Sequence, residues 1–128
     1  MRALTVEDIK AMHRLLAEKT GGGLGLRDEG LLSGALAPIF SSFGGEEFYP
    51  TIEEKAARLA YSLISCHAFL DGNKRVGLLA MLTFLAINGS PVSPSSEELV
   101  RVGLAAASGE MGYEALLGFV RRLCGGIS

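Results

Sequence analysis

The chain has 128 residues, of which 48% are hydrophobic and 20% charged, a composition typical of one globular domain over residues 1–128. Its 12 basic and 14 acidic residues give a formal charge of −2, which excludes broad electrostatic attraction to nucleic acid or to an anionic membrane. Cys66 and Cys124 belong to no metal-binding or disulfide pattern, and the acidic N-terminal segment does not resemble a signal peptide. We therefore expect a cytoplasmic protein.

The first predicted element is a helix at about 5–19. Thr5 and Asp8 have the spacing of a helix N-cap, and a glycine run follows Thr20. The apolar positions recur at helical spacing and comprise Ile9, Met12, Leu15 and Leu16. No acidic or cysteine cluster accompanies His13, so we expect this histidine at the surface.

A second helix follows a glycine-rich loop at 20–27. Asp28 has the residue type of an N-cap, and Pro38 is expected to bend or shorten the helix. The next segment, from Gly44 to Pro50, has turn residues at both ends and predicts a short hairpin or flap. We interpret Glu46 and Glu47 as a solvated edge of this flap.

Two further helices enclose the most polar segment of the chain. Thr51 and Glu54 form a capping box ahead of a third helix that ends near residue 66. A fourth helix, from about Asn73 to Asn88, is apolar on all sides, so we expect it at the centre of a bundle. Its longest apolar run is too short to cross a bilayer core of about 30 Å.

The last two helices complete the prediction. Ser95 or Ser96 caps a fifth helix after a proline-containing connector, and a sixth lies near 111–123. No parallel-strand pattern or internal repeat is visible. The sequence therefore predicts an all-α fold, a six-helix bundle with a small β-hairpin flap.

The segment from His67 to Arg75 joins the third and fourth helices and concentrates the reactive side chains. Gly72 permits a tight turn, after which backbone N–H groups open a helix whose dipole favours an anion. Lys74 and Arg75 add positive charges. Asp71 beside phosphates would hold Mg²⁺, and His67 can take a proton from a hydroxyl near neutral pH. These residue types together predict phosphoryl or nucleotidyl transfer.

Two other interpretations of this segment stay open. A polar Gly-Asn turn between helices would explain the same residue types without any catalysis. His67 and Asp71 could share a transition metal, although the sequence offers no third ligand beside them. Cys66 precedes His67 directly and is expected to be a small core residue.

This segment resembles the signature of the Doc toxin branch of the Fic/Doc family, HxFxD(A/G)NKR. Every fixed position is filled, by His67, Phe69, Asp71, Gly72, Asn73, Lys74 and Arg75. Weaker similarity to the same branch extends over the segments Gly25–Asp28, Phe43–Thr51 and Phe84–Gly89.

The resemblance implies a toxin that uses ATP and Mg²⁺ to phosphorylate a threonine of elongation factor Tu, restrained by a Phd-like antitoxin that binds as a helix in a groove. Lys74 replaces the glycine, and Leu78 the second arginine, of family members that transfer AMP. Both departures are shared with the Doc branch and favour a kinase. The alternatives are AMP transfer and a phosphate-binding module without catalysis.

The resemblance also implies a role for each motif residue. His67 would be the general base, Asp71 a catalytic or Mg²⁺-directing carboxylate, and Phe69 a core anchor of the loop. Phosphate would be bound by Gly72, Asn73, Lys74 and Arg75. An extended target segment would pair with the flap residues, namely Gly45, Glu46, Glu47, Phe48 and Tyr49. Of these, Phe48 is expected to serve mainly in packing.

Overall fold

The computed structural model describes residues 1–21 and 25–125, so residues 22–24 of the predicted glycine loop lie outside the described residues. The described chain forms six helices and one hairpin, in the order α1 (Val6–Thr20), α2 (Glu29–Phe40), β1 (Ser42–Phe43), β2 (Glu46–Glu47), α3 (Ile52–Ser65), α4 (Asn73–Ile87), α5 (Ser96–Ser108) and α6 (Tyr113–Gly125). The predicted all-α class with a small hairpin is confirmed. α2 continues through Pro38 to Phe40, so the proline does not end it early.

Side-chain caps begin the helices where the sequence predicts them. The capping boxes of Thr5 with Asp8 and of Thr51 with Glu54 are both complete. Asp28 caps α2, and Ser95 caps α5 through its hydroxyl oxygen. These short-range hydrogen bonds satisfy N–H groups that the first turn of a helix leaves without partners.

The central helix is α3, and the prediction that α4 occupies this place is wrong. α3 packs against α2, α4, α5 and α6, and its small residues allow close approach. At the crossing with α4, a Cβ added to Gly77 would lie only 2.8 Å from the Ile64 side chain. α4 instead packs against α1, α3 and α5, and it leaves Leu79 and Leu82 only partly covered.

The buried face of α1 differs from the predicted one. It consists of Ile9, His13 and Ala17, which recur every fourth residue. Leu15, expected to face inward, is 51% exposed. The prediction of a surface His13 is therefore wrong.

The hairpin turns at Gly44 and Gly45, whose φ angles of 62° and 86° match the positive values of a type I′ turn. The strands lie earlier than predicted, because these glycines form the turn itself. Glu46 and Glu47 are both exposed, as predicted, and Glu47 is also an anchor, since it accepts a hydrogen bond of 2.7 Å from Lys55 Nζ. Lys55 is fully buried and also donates to the Tyr49 carbonyl oxygen.

Within residues 1–21 and 25–125, no helix combines the length and the apolar character that crossing a bilayer requires.

Candidate active site

The motif loop, residues 67–72, leads from α3 into α4 and is closed by the side chain of Asn73. The Asn73 amide nitrogen donates to the Phe69 carbonyl oxygen at 3.0 Å, and its Oδ1 accepts from the Phe69 N–H at 3.2 Å. Phe69 is 4% exposed and points into the core, as predicted. The side-chain amide of Asn73 is thus engaged in the loop, so phosphate binding by this residue, which stays a prediction, would use its backbone N–H.

The segment before α2 pairs with the motif loop along its backbone. Leu26 and Phe69 form an antiparallel bridge, and the Arg27 N–H donates to the Ala68 carbonyl oxygen at 2.7 Å. The Leu70 N–H donates to the Gly25 carbonyl oxygen at 3.0 Å. A Cβ added to Gly25 would overlap the end of the Leu70 side chain, so a larger residue here would require this exposed side chain to move. These contacts tie the loop to the rest of the fold.

His67 is exposed and has a left-handed backbone, with φ of 53°. Its carbonyl oxygen accepts a hydrogen bond of 2.9 Å from Arg27 Nε. Non-glycine residues adopt this conformation infrequently, and it persists where surrounding contacts hold it. No hydrogen bond among the described residues uses the His67 ring, so its nitrogens are available to a substrate.

Asp71 and Gly72 form the turn into α4. Gly72 has φ of 81° and is the N-cap residue, and its N–H donates to Asp71 Oδ1 at 2.8 Å. The first backbone hydrogen bond of α4 joins the Val76 N–H to the Gly72 carbonyl oxygen. The three N–H groups of Asn73, Lys74 and Arg75 therefore precede the helical ladder and are available to an anion.

Two positive charges lie at the same helix end. Lys74 and Arg75 are exposed, and neither forms an ion pair within the described residues. Together with the free N–H groups and the helix dipole, they favour an anion at the first turn of α4. The structure thus brings His67, Asp71 and the predicted phosphate-binding residues into one short loop and turn.

The hairpin is anchored away from this loop. Its hydrogen bonds, and that of the following Tyr49, come from Lys55 in the first turn of α3. The motif loop follows the last turn of the same helix. The 14 residues of α3 span about 20 Å. Tyr49 is half-buried against Tyr113, while Phe48 is 57% exposed, so the expected packing role belongs to Tyr49 instead. No hydrogen bond within residues 1–21 and 25–125 joins the hairpin to the loop.

Sequence reasoning missed two residues that contact the loop. Arg27 holds the His67 carbonyl, and the ring of His13 stacks on Phe69 with centroids 3.9 Å apart. The spacing of His13 from Ile9 and Ala17 was the available signal, because all three occupy one helix face.

Cys66 is a partly buried residue packed on the core, and burial raises the pKa of its thiol.

An apolar groove begins beside the first turn of α4. It has a volume of about 480 Å³ and runs between α4 and α5. Lys74 and Arg75 line it together with leucine and valine side chains, chiefly Leu78, Leu79, Leu82, Leu99, Val100 and Leu104. Val100 and Leu104 are 61% and 56% exposed, which is high for large apolar residues.

The loop between α3 and α4 thus carries His67 and Asp71, and α4 begins with Asn73, Lys74 and Arg75. A model of the Fic/DOC family matches residues 3–85, and the chain belongs to that family.

Two individual relatives narrow the similarity to proteins named Doc. The chain is 31% identical over 125 residues to the Protein kinase doc of Escherichia phage P1, an alignment that covers 98% of each protein. It is 48% identical over 69 residues to the Toxin Doc of Mycolicibacterium smegmatis. That second alignment covers 54% of this chain and spans about half, 53%, of the relative. The resemblance of the motif to the Doc branch is thus confirmed by proteins of that name.

Proposed function

We propose that this protein is the toxin of a toxin–antitoxin pair and acts as a kinase, transferring the γ-phosphate of ATP to a hydroxyl group of a protein. The observation that carries the proposal is the motif loop, in which an exposed histidine lies on the loop that leads into the N-terminus of α4, where free N–H groups and two cations favour an anion. Similarity to proteins named Toxin Doc and Protein kinase doc supports the toxin role and the kinase activity.

The phosphates of ATP would bind at the first turn of α4. The free N–H groups there and the positive end of the helix dipole favour a multiply charged anion. The planar Arg75 guanidinium would donate hydrogen bonds to two phosphate oxygens. The Lys74 ammonium group, on a flexible side chain, would supply a positive charge to the phosphates.

The Asp71 carboxylate fits a Mg²⁺ ion that arrives with the nucleotide. It accepts one hydrogen bond from the Gly72 N–H and is otherwise exposed, so carboxylate lone pairs stay free for a ligand. Mg²⁺ is commonly held by one or two carboxylates together with the phosphates of its substrate. When bound, the ion supplies positive charge that offsets the charge of those phosphates.

His67 would serve as the general base. The acceptor oxygen attacks the γ-phosphorus, the bond from that phosphorus to the β,γ-bridging oxygen breaks, and ADP leaves. The proton of the acceptor hydroxyl passes to a ring nitrogen of His67. The ring is suited to this role because it is exposed and carries no hydrogen bond within the described residues.

Lys74 and Leu78 favour phosphoryl transfer over AMP transfer. Leu78 is only 9% exposed and apolar, so it offers no charge where AMP-transferring relatives have an arginine. The proposed acceptor is a threonine of elongation factor Tu in the cytoplasm. To test this, the protein is incubated with elongation factor Tu and with ATP labelled at either the α or the γ position. We expect γ label on the factor, and none with His67→Ala. Label from the α position would contradict a kinase and indicate AMP transfer, and ATP binding without any transfer would indicate a binding module.

The hairpin is proposed to align an extended segment of the target. Phe43 and Phe48 are 80% and 57% exposed, and a two-stranded sheet leaves main-chain groups free for a third strand. We expect Phe48→Ala to weaken transfer to the protein target while leaving ATP binding unchanged. Weakened ATP binding in this variant would contradict a role confined to the target.

The antitoxin is proposed to bind the apolar groove as an amphipathic helix. The groove offers exposed apolar side chains on α5, and its basic end suits a partner helix with acidic residues at the matching end. An occupant there would lie against Lys74 and Arg75 and would hinder the phosphates of ATP.

A growth assay tests the groove. Val100→Glu with Leu104→Glu should leave toxicity intact and abolish neutralisation by the antitoxin encoded beside the gene. Leu15→Glu is the matched control, because Leu15 is 51% exposed on α1, outside the groove. Neutralisation that survives the double substitution would place the antitoxin elsewhere.

A further inference from the structure

His13 contacts the motif loop at three of its residues. Its ring lies parallel to that of Phe69, at an interplanar angle of 7° and a centroid distance of 3.9 Å. Its Nε2 is 2.6 Å from the Asp71 carbonyl oxygen. It also packs on Gly72, where an added Cβ would lie 3.4 Å from the same nitrogen.

The hydrogen bond fixes the protonation of the ring nitrogen. A carbonyl oxygen can only accept, so Nε2 must carry the hydrogen and donate it. His13 is 3% exposed, and the contact spans 58 positions of sequence. The donor is therefore held by the core of α1 and directed at one backbone group of the loop.

The two sides of the loop are held by different residues. Asn73 clamps the backbone of Phe69 from within α4, and His13 holds the Phe69 ring and the Asp71 carbonyl from α1. The Asp71 carboxylate belongs to the same residue as the carbonyl that His13 holds, and the Gly72 turn follows that carbonyl directly. A shift of that carbonyl would move both the carboxylate and the N–H groups that follow.

We propose that His13 is a positioning residue for the transfer reaction, which holds the Asp71 carboxylate and the first turn of α4 in place. The proposal rests on the proposed function for its kinetic effect. A purely structural ring would be replaced well by phenylalanine, whereas a positioning donor would not. Glutamine is the conservative variant, because its side-chain amide can donate from near the position of the histidine Nε2.

The experiment compares His13→Phe, His13→Gln and the control Met12→Ala in the full chain. Met12 is partly buried on the same helix, so its truncation weakens α1 packing without removing the donor. With ATP and elongation factor Tu, we expect His13→Phe to lower kcat roughly tenfold, because small misplacements of catalytic groups are costly. Lys74 and Arg75 remain, so the KM for ATP should rise by a smaller factor than kcat falls. His13→Gln should restore most of kcat, and Met12→Ala should keep it.

Amide hydrogen exchange of the free protein supplies a readout independent of activity. Exchange at Leu70 and Gly72, whose N–H groups are hydrogen-bonded in the loop, should be faster in His13→Phe and close to wild type in His13→Gln. Wild-type kcat in a folded His13→Phe, a glutamine variant as slow as phenylalanine, or unchanged exchange would each overturn the proposal. If the wild-type protein transfers no phosphate, the proposed function fails, and the exchange rates alone then decide whether His13 holds the loop.

Discussion

Replacement of Asn73 by alanine separates a structural role of this side chain from direct phosphate binding. The substitution removes two hydrogen bonds, of 3.0 Å and 3.2 Å, to the backbone of Phe69. Phe69 is 4% exposed, so water cannot readily replace the lost partners.

The expected cost follows from these contacts. Each lost hydrogen bond costs about 1 kcal/mol, and buried groups left without partners cost about 1–3 kcal/mol. We expect Asn73→Ala to lower the free energy of unfolding by about 3 kcal/mol. For a domain of this size that corresponds to a melting temperature lower by roughly 10 °C.

Thermal unfolding, followed by circular dichroism, measures this effect, and Lys74→Ala is the matched control. Lys74 is the next residue and is exposed, so its loss should change stability by only about 0.5 kcal/mol while strongly reducing phosphate transfer. If Asn73→Ala melts like the wild type and only raises the KM for ATP, the amide binds the nucleotide and the structural reasoning is wrong. If Lys74→Ala transfers phosphate at the wild-type rate, its role as an anchor is wrong.

Two further substitutions and one alkylation reaction test the packing. Gly77→Ala should destabilise the fold by about 1 kcal/mol, because the new Cβ would lie 2.8 Å from an α3 side chain and the overlap exceeds the gain in helix propensity. Glu47→Ala should lower stability by about 2 kcal/mol, since it leaves the fully buried Lys55 with only a carbonyl partner. Alkylation of Cys66 should rise with pH only above the range of an ordinary thiol, because burial raises the pKa of this thiol and the thiolate is the reactive form.

Controls accompany each of these three. Gly118→Ala meets open space and should stabilise α6 by up to about 1 kcal/mol, so equal effects of the two glycine substitutions would refute the crowding at Gly77. Glu46→Ala should be neutral, and a loss like that of Glu47→Ala would show that the Lys55 ion pair is not the cause. In urea, alkylation of Cys66 should follow ordinary thiol behaviour, and an unchanged pH profile on unfolding would contradict burial as the cause.

Local signals were sufficient to predict most of the helices. The caps at Thr5, Asp28, Thr51 and Ser95 depend on residues only three positions away, so their residue types predict the start of each helix. The turn at Gly72 is equally local, because its φ of 81° suits glycine. The residues of the motif loop and its turn at Gly72 could therefore be predicted from the sequence, whereas the contacts that hold the loop could not.

The contacts that hold the site depend on residues distant in sequence. His13 is buried because the Phe69 ring covers it, and Lys55 is tolerated inside because Glu47 folds back over it. The exposure of neither side chain follows from its own segment. The central place of α3 also escaped prediction, because its alanines are weakly hydrophobic and the leucine-rich α4 has the stronger signal.

The central claim is that this protein phosphorylates a protein hydroxyl through His67. Its most direct test is the intact mass of elongation factor Tu recovered from cells that express this protein alone, with His67→Ala as the control. We predict a gain of one phosphoryl group, located on a threonine and absent with the variant. A gain of one adenylyl group, or an unmodified factor in cells whose growth is arrested, would contradict the claim.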